Sequence, residues 1–167
     1  RIDNRIAAVC VTTGPGGTNA LTGVVGGWLD SIPMFIISGQ VRYDTTARYA
    51  LSYTETPLRA MGDQEYDIVK SVSNMTKYAT MIEDPKDIRY ALEKAWHLAT
   101  TGRPGPVWID IPVNYQGGYI ETDELRGFMI QRKMISCFHR LLRIALSRLF
   151  LKRLRMRKDQ YFTQVME

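Results

Sequence analysis

Residues 7–38, AAVCVTTGPGGTNALTGVVGGWLDSIPMFIIS, decide the fold class that the sequence predicts. They open with a short apolar run at 7–11, which is typical of a strand buried on both faces of a parallel sheet. A glycine-rich turn at 12–17 follows, and a helix is predicted from about Thr18 to Leu29. The sequence DSIP ends that helix, and the apolar run at 34–38 predicts the next buried strand. This order of elements indicates the start of a parallel α/β sheet.

The predicted first helix contains three glycines, Gly23, Gly26 and Gly27. Each weakens a helix by roughly 1 kcal/mol relative to alanine. We interpret this cost as a sign of close backbone approach, either to a neighbouring element or to a ligand.

The alternation of strands and helices continues to residue 112. Residues 40–62 are polar, rich in Tyr and Thr and aperiodic, which predicts a long surface loop. Asp63 is predicted to cap a helix that runs to about Val72. Further strands are predicted at 78–82 and 107–111. The fold class is therefore α/β, with a parallel β-sheet covered by helices on both faces.

The clearest helix pattern lies between the last two strands. Asp84 suits the N-cap, Pro85 the first helical position, and Gly102 the position just past the end. Its apolar face has the spacing of a 3.6-residue period and consists of Ile88, Ala91, Leu92, Ala95 and Ala99.

Charge divides the 167 residues into two unlike parts. Ten of the 22 Lys and Arg residues but two of the 17 Asp and Glu residues lie in 129–167, so this segment carries +8 and residues 1–128 carry −3. The hydrophobic content of 45% is that of a soluble globular protein. We expect a mildly acidic domain at 1–128 and a basic tail at 129–167.

The cysteines and histidines favour neither a disulfide nor a metal site. Cys10 lies in an apolar run and Cys137 in the tail, without a CxxC or Cys/His spacing, so reduced thiols in a cytoplasmic protein are expected. His97 and His139 lack ligand partners nearby in sequence and are interpreted as structural. The sequence shows no signal peptide and no apolar run of membrane-spanning length.

The turn at residues 13–19, TGPGGTN, is the first candidate for a binding site, because ligands of open α/β sheets collect at the carboxyl ends of strands. The turn lacks the Lys-Ser/Thr pair of a P-loop, and a dinucleotide fingerprint requires glycine where Asn19 stands. Taken alone, it fits a structural tight turn as well as it fits a binding loop.

Three segments together resemble one known family. TTGPGGTNALTGVVGGWLDSIPMFIISGQV at 12–41, GDQEYDIV at 62–69 and ATTGRPGPVWIDIP at 99–112 have the order and spacing found in acetolactate synthases and related thiamine-diphosphate enzymes. The resemblance covers residues 7 to about 127. It implies an incomplete N-terminal, pyrimidine-binding domain of such an enzyme.

The resemblance assigns roles to individual residues. Those implied to contact the aminopyrimidine ring of thiamine diphosphate are Gly14, Pro15, Gly16 and Asn19, glycine being suited to close backbone approach. Gln64 is implied to reach toward the reacting substrate and is the catalytic candidate. Arg103 matches an arginine that contacts FAD in acetolactate synthases, although relatives without FAD share the motif and a turn-stabilising role stays open. The alternatives are a helix cap for Asn19 and a solvated loop residue for Gln64.

The remaining machinery of the family is expected outside this chain. A catalytic glutamate is implied upstream of GPG, and residues 1–6 do not supply it. Glu55 and Glu65 are interpreted as surface acids. The resemblance implies that an absent C-terminal domain holds the diphosphate and Mg²⁺, and that the site forms between subunits of a homodimer or tetramer. We therefore expect an inactive fragment.

Two departures from the acetolactate synthase pattern concern the segment before Gln64. Arg42 stands where the family usually has proline, and the loop before GDQEYD is longer. Both lie where substrate selectivity is set, so the resemblance specifies the reaction class better than the substrate.

The basic tail has two interpretations. Leucines and Ala145 recur at helical spacing among arginines, as in a membrane-surface or nucleic-acid-binding helix. Alternatively, an A-rich codon choice for residues 150–167, read in the next frame, gives FEKIKNAKRPVFYAGNG, which resembles the central-domain opening of the family. We favour an out-of-frame, non-native tail that begins after about Phe128.

Two functional hypotheses follow. In the first, a parent enzyme of branched-chain amino acid biosynthesis decarboxylates a 2-keto acid and transfers the acyl-anion equivalent. Its cofactors are thiamine diphosphate and Mg²⁺, with FAD where Arg103 serves it, and neither nucleic acid nor membrane is a partner. In the second, a small α/β nucleotide-binding module carries a tail that binds nucleic acid or membrane. The ordered trio of motifs favours the first.

Overall fold

Four parallel strands form the centre of the computed structural model, which describes residues 5–128. They are β1 (Ala7–Val11), β2 (Met34–Gln40), β3 (Tyr78–Met81) and β4 (Pro106–Pro112). Their order across the sheet is β1-β2-β4-β3, and every pairing is parallel. Each predicted strand is present and ends within two residues of its predicted limits. The predicted parallel α/β sheet is confirmed.

Five α-helices flank the sheet within residues 5–128. They are α1 (Pro15–Leu29), α2 (Ala47–Ala50), α3 (Ile68–Val72), α4 (Ile88–Thr100) and α5 (Val113–Gln116). Short 3₁₀ helices lie at Tyr43–Thr45, Pro85–Asp87 and Thr122–Glu124. The long surface loop predicted at 40–62 contains two short elements that the sequence did not predict, a 3₁₀ turn and α2.

Helices cover both faces of the sheet, as predicted. On one face α4 packs against β2, β3 and β4, and the ring centroids of Phe35 and Trp96 lie 6.4 Å apart. On the other face α1 and α3 enclose a core made of Val24, Ile36, Ile68, Val72 and Trp108. Side chains alternate between faces along a strand, so Ser38 and Gln40 lie on the same face as Ile36.

The helix with the clearest sequence pattern, α4, has the predicted form. Asp84 accepts a hydrogen bond from the backbone N–H of Lys86 (2.8 Å), and the 3₁₀ turn that follows leads into α4. On the predicted apolar face Ala91, Leu92, Ala95 and Ala99 are buried, and Ile88 is half-buried. Gly102 has φ 63° just past the helix, a left-handed conformation that suits glycine.

Two helix starts differ from the predictions. The first helix begins at Pro15 rather than Thr18, because the fixed φ of proline suits the first helical position. The third begins after Asp67, whose side chain accepts a backbone N–H hydrogen bond (3.3 Å), so the prediction of Asp63 as the cap is wrong. A helix cannot start at Asp63 because Gln64 has φ 57°, far from helical values.

The prediction that β1 is buried on both faces is wrong within the described residues. Ala7, Ala8 and Cys10 are exposed, whereas Val9 and Val11 pack against the core. Alanine and cysteine hide this alternation in an apolar run, since their hydrophobicity does not separate the inner from the outer face. In β4, by contrast, six of seven residues are buried.

The last described residues pack against α4. The N–H of Phe128 donates to the carboxylate of Glu93 (2.7 Å). The ring centroid of Phe128 lies 5.5 Å from that of Tyr90 and 5.7 Å from that of His97. The predicted basic tail at 129–167 lies outside the described residues.

Candidate functional site

The GPG turn lies at the carboxyl end of β1, where α1 begins. Gly14 occupies the N-cap position with φ 54°. A Cβ atom at Gly14 would overlap the backbone carbonyl oxygen of Gln64. Only glycine permits this contact between two segments that are distant in sequence.

Gln64 has a strained backbone and an exposed side chain. Its φ of 57° lies in a region that residues other than glycine seldom occupy, and such strain concentrates at functional sites. Its side chain makes no hydrogen bond with any residue in 5–128. The side-chain amide is therefore available to a ligand.

Glu65 anchors the segment that carries Gln64. Its Oε1 accepts from the N–H of Ala47 (2.7 Å), and its Oε2 accepts from the N–H groups of Met61 (2.6 Å) and Gly62 (3.2 Å). The interpretation of Glu65 as a surface acid is wrong, because its half-buried carboxylate joins three backbone donors. Sequence spacing does not reveal this role, since Ala47 reaches Glu65 only through the folded loop.

The other residues assigned to the pyrimidine ring lie beside Gly14. Pro15 and Gly16 form the first turn of α1, and Asn19 is exposed one turn further along. Asn19 is inside the helix and does not cap it. The structure thus brings five of the six assigned residues to one edge of the sheet: Gly14, Pro15, Gly16, Asn19 and Gln64.

Arg103, the sixth assigned residue, lies at the opposite edge of the sheet. Its Nε donates to Oγ of Ser31 (2.6 Å), and its Nη2 donates to the carbonyl oxygen of Leu29 (3.5 Å). These partners belong to the C-terminal end of α1 and the residues after it, near the amino ends of the strands. The contacts support the turn-stabilising interpretation of Arg103.

A buried carboxylate that the motifs do not reveal lies within the sheet. Asp110 on β4 is fully buried and accepts hydrogen bonds from the hydroxyl of Ser38 (2.6 Å) and the amide of Gln40 (2.9 Å). Burial raises the pKa of Asp110 to about 6, while the hydrogen bonds from Ser38 and Gln40 oppose this shift. An aspartate inside the apolar strand VWIDI was the available sequence signal.

Arg42, which stands where the family usually has proline, lies at the same edge of the sheet as Gly14 and Gln64. Arg42 follows β2 and forms an exposed two-point ion pair with Asp44, with Nε–Oδ1 and Nη2–Oδ2 distances of 3.0 and 2.9 Å. The adjacent Tyr43 ring packs near Tyr49 and Tyr115, at centroid distances of 5.5 and 5.7 Å. The segment before Gln64 is thus folded against the carboxyl end of β4.

Residues 5–128 contain neither a candidate metal cluster nor a helix that could span a membrane. In this part of the chain no group of three or more His, Cys, Asp or Glu side chains is placed to hold a metal ion. None of its helices is both long enough and apolar enough to cross a membrane.

Comparison with known proteins gives the class to which this fold and site correspond. Residues 1–65 match the family described as "Thiamine pyrophosphate enzyme, N-terminal TPP binding domain". The matched segment contains the GPG turn, Asn19 and Gln64. The chain is a relative of the thiamine pyrophosphate enzymes, and its residues 1–65 match their N-terminal TPP-binding domain.

Curated proteins similar to this chain include acetolactate synthases. The Haemophilus influenzae subunit is 38% identical over 135 residues, covering 77% of this chain and 22% of that protein. Isozyme 3 of Escherichia coli is 38% identical over 112 residues, with coverages of 67% and 18%. The chloroplastic enzyme of Arabidopsis thaliana is 38% identical over 112 residues, with coverages of 65% and 14%. The family resemblance is confirmed, and the chain spans between 14% and 22% of the length of these relatives.

Proposed function

We propose that the chain supplies the pyrimidine-facing wall of the active site in a cytoplasmic thiamine-diphosphate enzyme of the acetolactate synthase type. The proposed reaction decarboxylates a 2-keto acid and transfers the acyl-anion equivalent to an acceptor. The observation that carries the proposal is the contact of Gly14 with the backbone of Gln64. It joins the two motifs that the family resemblance assigns to the cofactor and the substrate.

The residues present fit the pyrimidine end of the cofactor. Pro15 at the exposed start of α1 offers an apolar surface to a flat ring, and the exposed amides of Asn19 and Gln64 offer donors and acceptors. When bound, thiamine diphosphate would supply the electron-sink chemistry that decarboxylation requires. The proposed part of Gln64 is to orient the reacting group of the substrate by hydrogen bonding.

Other parts of a longer, dimeric or tetrameric enzyme are proposed to complete this site. By the family resemblance, a glutamate upstream of GPG contacts the pyrimidine, and another domain holds the diphosphate and Mg²⁺. A contact between Arg103 and FAD would require the guanidinium to leave Ser31 and Leu29. The structural role of Arg103 is therefore the one we propose.

Two substitutions at Gln64 in the intact enzyme test its assignment. Gln64→Gly removes the amide and relieves the backbone strain at φ 57°, whereas Gln64→Ala removes the amide and keeps that strain of roughly 1 kcal/mol. Both should lower turnover about tenfold or more, the scale of a lost positioning hydrogen bond. Cofactor affinity should stay near that of the wild type in Gln64→Gly. A collapse of cofactor affinity with unchanged turnover at saturation would contradict the assignment.

The encoding DNA separates this proposal from a nucleotide-binding module with a basic tail. Upstream codons should encode the glutamate-bearing segment, and the frame shifted after about codon 128 should encode the central domain. If neither is present, and the tail binds a defined nucleic acid or lipid in a salt-sensitive way, the module is the correct reading.

Two truncations test the proposed domain boundary after Phe128. Deleting 129–167 should change the free energy of unfolding by less than roughly 0.5 kcal/mol, since packed features within 1–128 stay intact. Deleting 125–167 also removes the Phe128 contacts with Glu93, Tyr90 and His97 and should cost about 2 kcal/mol. Urea denaturation measures both. A loss of several kcal/mol in the shorter deletion would show that the tail belongs to the fold.

A further inference from the structure

Gln40, at the end of β2, uses its whole side-chain amide. Its Nε2 donates to Oδ2 of Asp110 and to the carbonyl oxygen of Tyr66, both at 2.9 Å. Its Oε1 accepts from the hydroxyl of Thr13 (2.7 Å) and from the N–H of Val41 (2.9 Å). The side chain is 4% exposed, so water does not replace these partners. Each partner that is lost leaves a buried polar group unpaired.

The direction of these hydrogen bonds is set from within the sheet. The indole of Trp108 can only donate, and its N–H donates to Oγ of Ser38 (2.7 Å). The single hydroxyl hydrogen of Ser38 is then directed to Oδ1 of Asp110 (2.6 Å). The carboxylate of Asp110 presents its other oxygen to Gln40, which must turn its Nε2 toward Asp110 and its Oε1 toward Thr13.

The two outer partners of Gln40 belong to the two segments that meet at the candidate site. Thr13 directly precedes Gly14, and Tyr66 follows Gln64 by two residues. We infer that Gln40, oriented by Asp110, is a positioning residue that fixes the GPG turn and the Gln64 segment at the separation their contact requires. The positioning role is inferred from the hydrogen bonds alone, whereas its importance for catalysis rests on the proposed function.

Backbone amides on both segments report on this positioning in the 167-residue chain. On the turn, the N–H of Gly16 bonds to the carbonyl of Thr13. On the other segment, the N–H of Glu65 bonds to Gly62 and that of Ile68 to Tyr66. Val41 reports on Gln40 itself. Hydrogen exchange measured by NMR at neutral pH follows these amides without any cofactor.

Gln40→Met keeps the side-chain length and removes all four hydrogen bonds. We expect the amides of both segments to exchange about tenfold faster, the factor that corresponds to loss of one buried hydrogen bond. The amides of α4, on the other face of the sheet, should keep their wild-type rates. The nuclear Overhauser contact between Gly14 and Gln64 should weaken, a signature that general destabilisation of a folded sheet does not produce.

A matched pair of threonine substitutions decides the case in which Gln40→Met does not fold. Thr13→Val removes only the bond to Gln40, and Thr76→Val removes a comparable buried bond, from its hydroxyl to the carbonyl of Val72 (2.8 Å). Thr13→Val should speed exchange at Gly16 and weaken the Gly14–Gln64 Overhauser contact, whereas Thr76→Val should do neither.

Equal site-amide rates in Thr13→Val and Thr76→Val, or wild-type site rates in a folded Gln40→Met variant, overturn the inference. An inactive restored enzyme whose Gly14–Gln64 contact responds to Gln40 as expected refutes the proposed function and leaves the positioning role standing.

Discussion

The face of the sheet covered by α4 is mainly apolar in its two central strands, whereas the face covered by α1 and α3 combines an apolar core with a buried hydrogen-bond network. On the α4 side, Phe35 and its register partner Val107 are buried, and Trp96 packs against Phe35. On the other side, Asp110 is as deeply buried as Ile36.

The two faces therefore contribute differently: the α4 side mainly stabilises the fold, and the α1 side positions the candidate site. Apolar burial on the α4 side stabilises the fold without directional requirements. On the α1 side each buried polar group costs free energy unless it is hydrogen-bonded, so its partners must be held in place. The network ends at Thr13 and Tyr66, next to the two segments that meet at the candidate site. The polar face thus gives up some stability and fixes the geometry of the site.

The largest expected effect tests the claim that the α4 face supplies the stability. Trp96→Ala removes a ring that is 9% exposed and should lower the free energy of unfolding by about 3–5 kcal/mol. Trp28 on α1 is the control, because this residue is 38% exposed, and Trp28→Ala should cost less, about 1–2 kcal/mol. Urea denaturation of both variants measures the difference. Similar losses would show that the two faces contribute alike.

A smaller effect tests the polar face through its dependence on pH. Burial raises the pKa of Asp110 from 3.8 to about 6, so the folded chain binds this proton more tightly than the unfolded chain. The contribution of Asp110 to stability is therefore greatest below pH 3.8 and falls as the pH rises to about 6, by roughly 3 kcal/mol in all.

Asp110→Asn removes this titration. The difference between the wild-type and Asp110→Asn unfolding free energies, measured across the same pH range, should change within that window and be flat above it. Parallel profiles for the two proteins would contradict burial of an ionisable Asp110.

The apolar face could be predicted from the sequence to a greater extent than the polar face. The strands and α4 follow from runs and periods of apolar residues, which record local burial. The GPG turn and Gln64 could be assigned through the family resemblance. Their direct contact could not, because it depends on a left-handed Gln64 backbone that no propensity favours.

The sequence motifs also did not predict the hydrogen-bond network of Asp110 and Gln40. Both residues lie inside quoted motif segments, yet spacing within one segment does not show which strand lies beside another. The order β1-β2-β4-β3 places β4 beside β2, and only this pairing brings Asp110 level with Ser38. The sequence signal was a polar residue in an apolar strand, and the partner came from the topology.

The smallest expected effect concerns how closely α1 is held against the sheet. The predicted close approach is confirmed at Gly27, where an added Cβ would overlap Sδ of Met34 and lie 3.4 Å from Cγ of Pro106. At Gly23 and Gly26 an added Cβ would meet no neighbouring element of the described residues within 4 Å, so close approach to such an element is not found there.

Alanine substitutions at two neighbouring glycines of α1 should therefore change the free energy of unfolding in opposite directions. Gly26→Ala should stabilise the chain by up to about 1 kcal/mol, because alanine restricts the unfolded backbone and meets no neighbour. Gly27→Ala gains the same helix propensity, but Met34 must move in a space that Pro106 limits, and overpacking of this kind costs roughly 1–3 kcal/mol. The net result should be a loss of about 1 kcal/mol. Thermal and urea unfolding of the two variants measure the sign directly. A loss of stability in Gly26→Ala as large as that in Gly27→Ala would mean that the outer side of α1 is also packed in this chain. The comparison of the two sheet faces would then have to include that packing of α1.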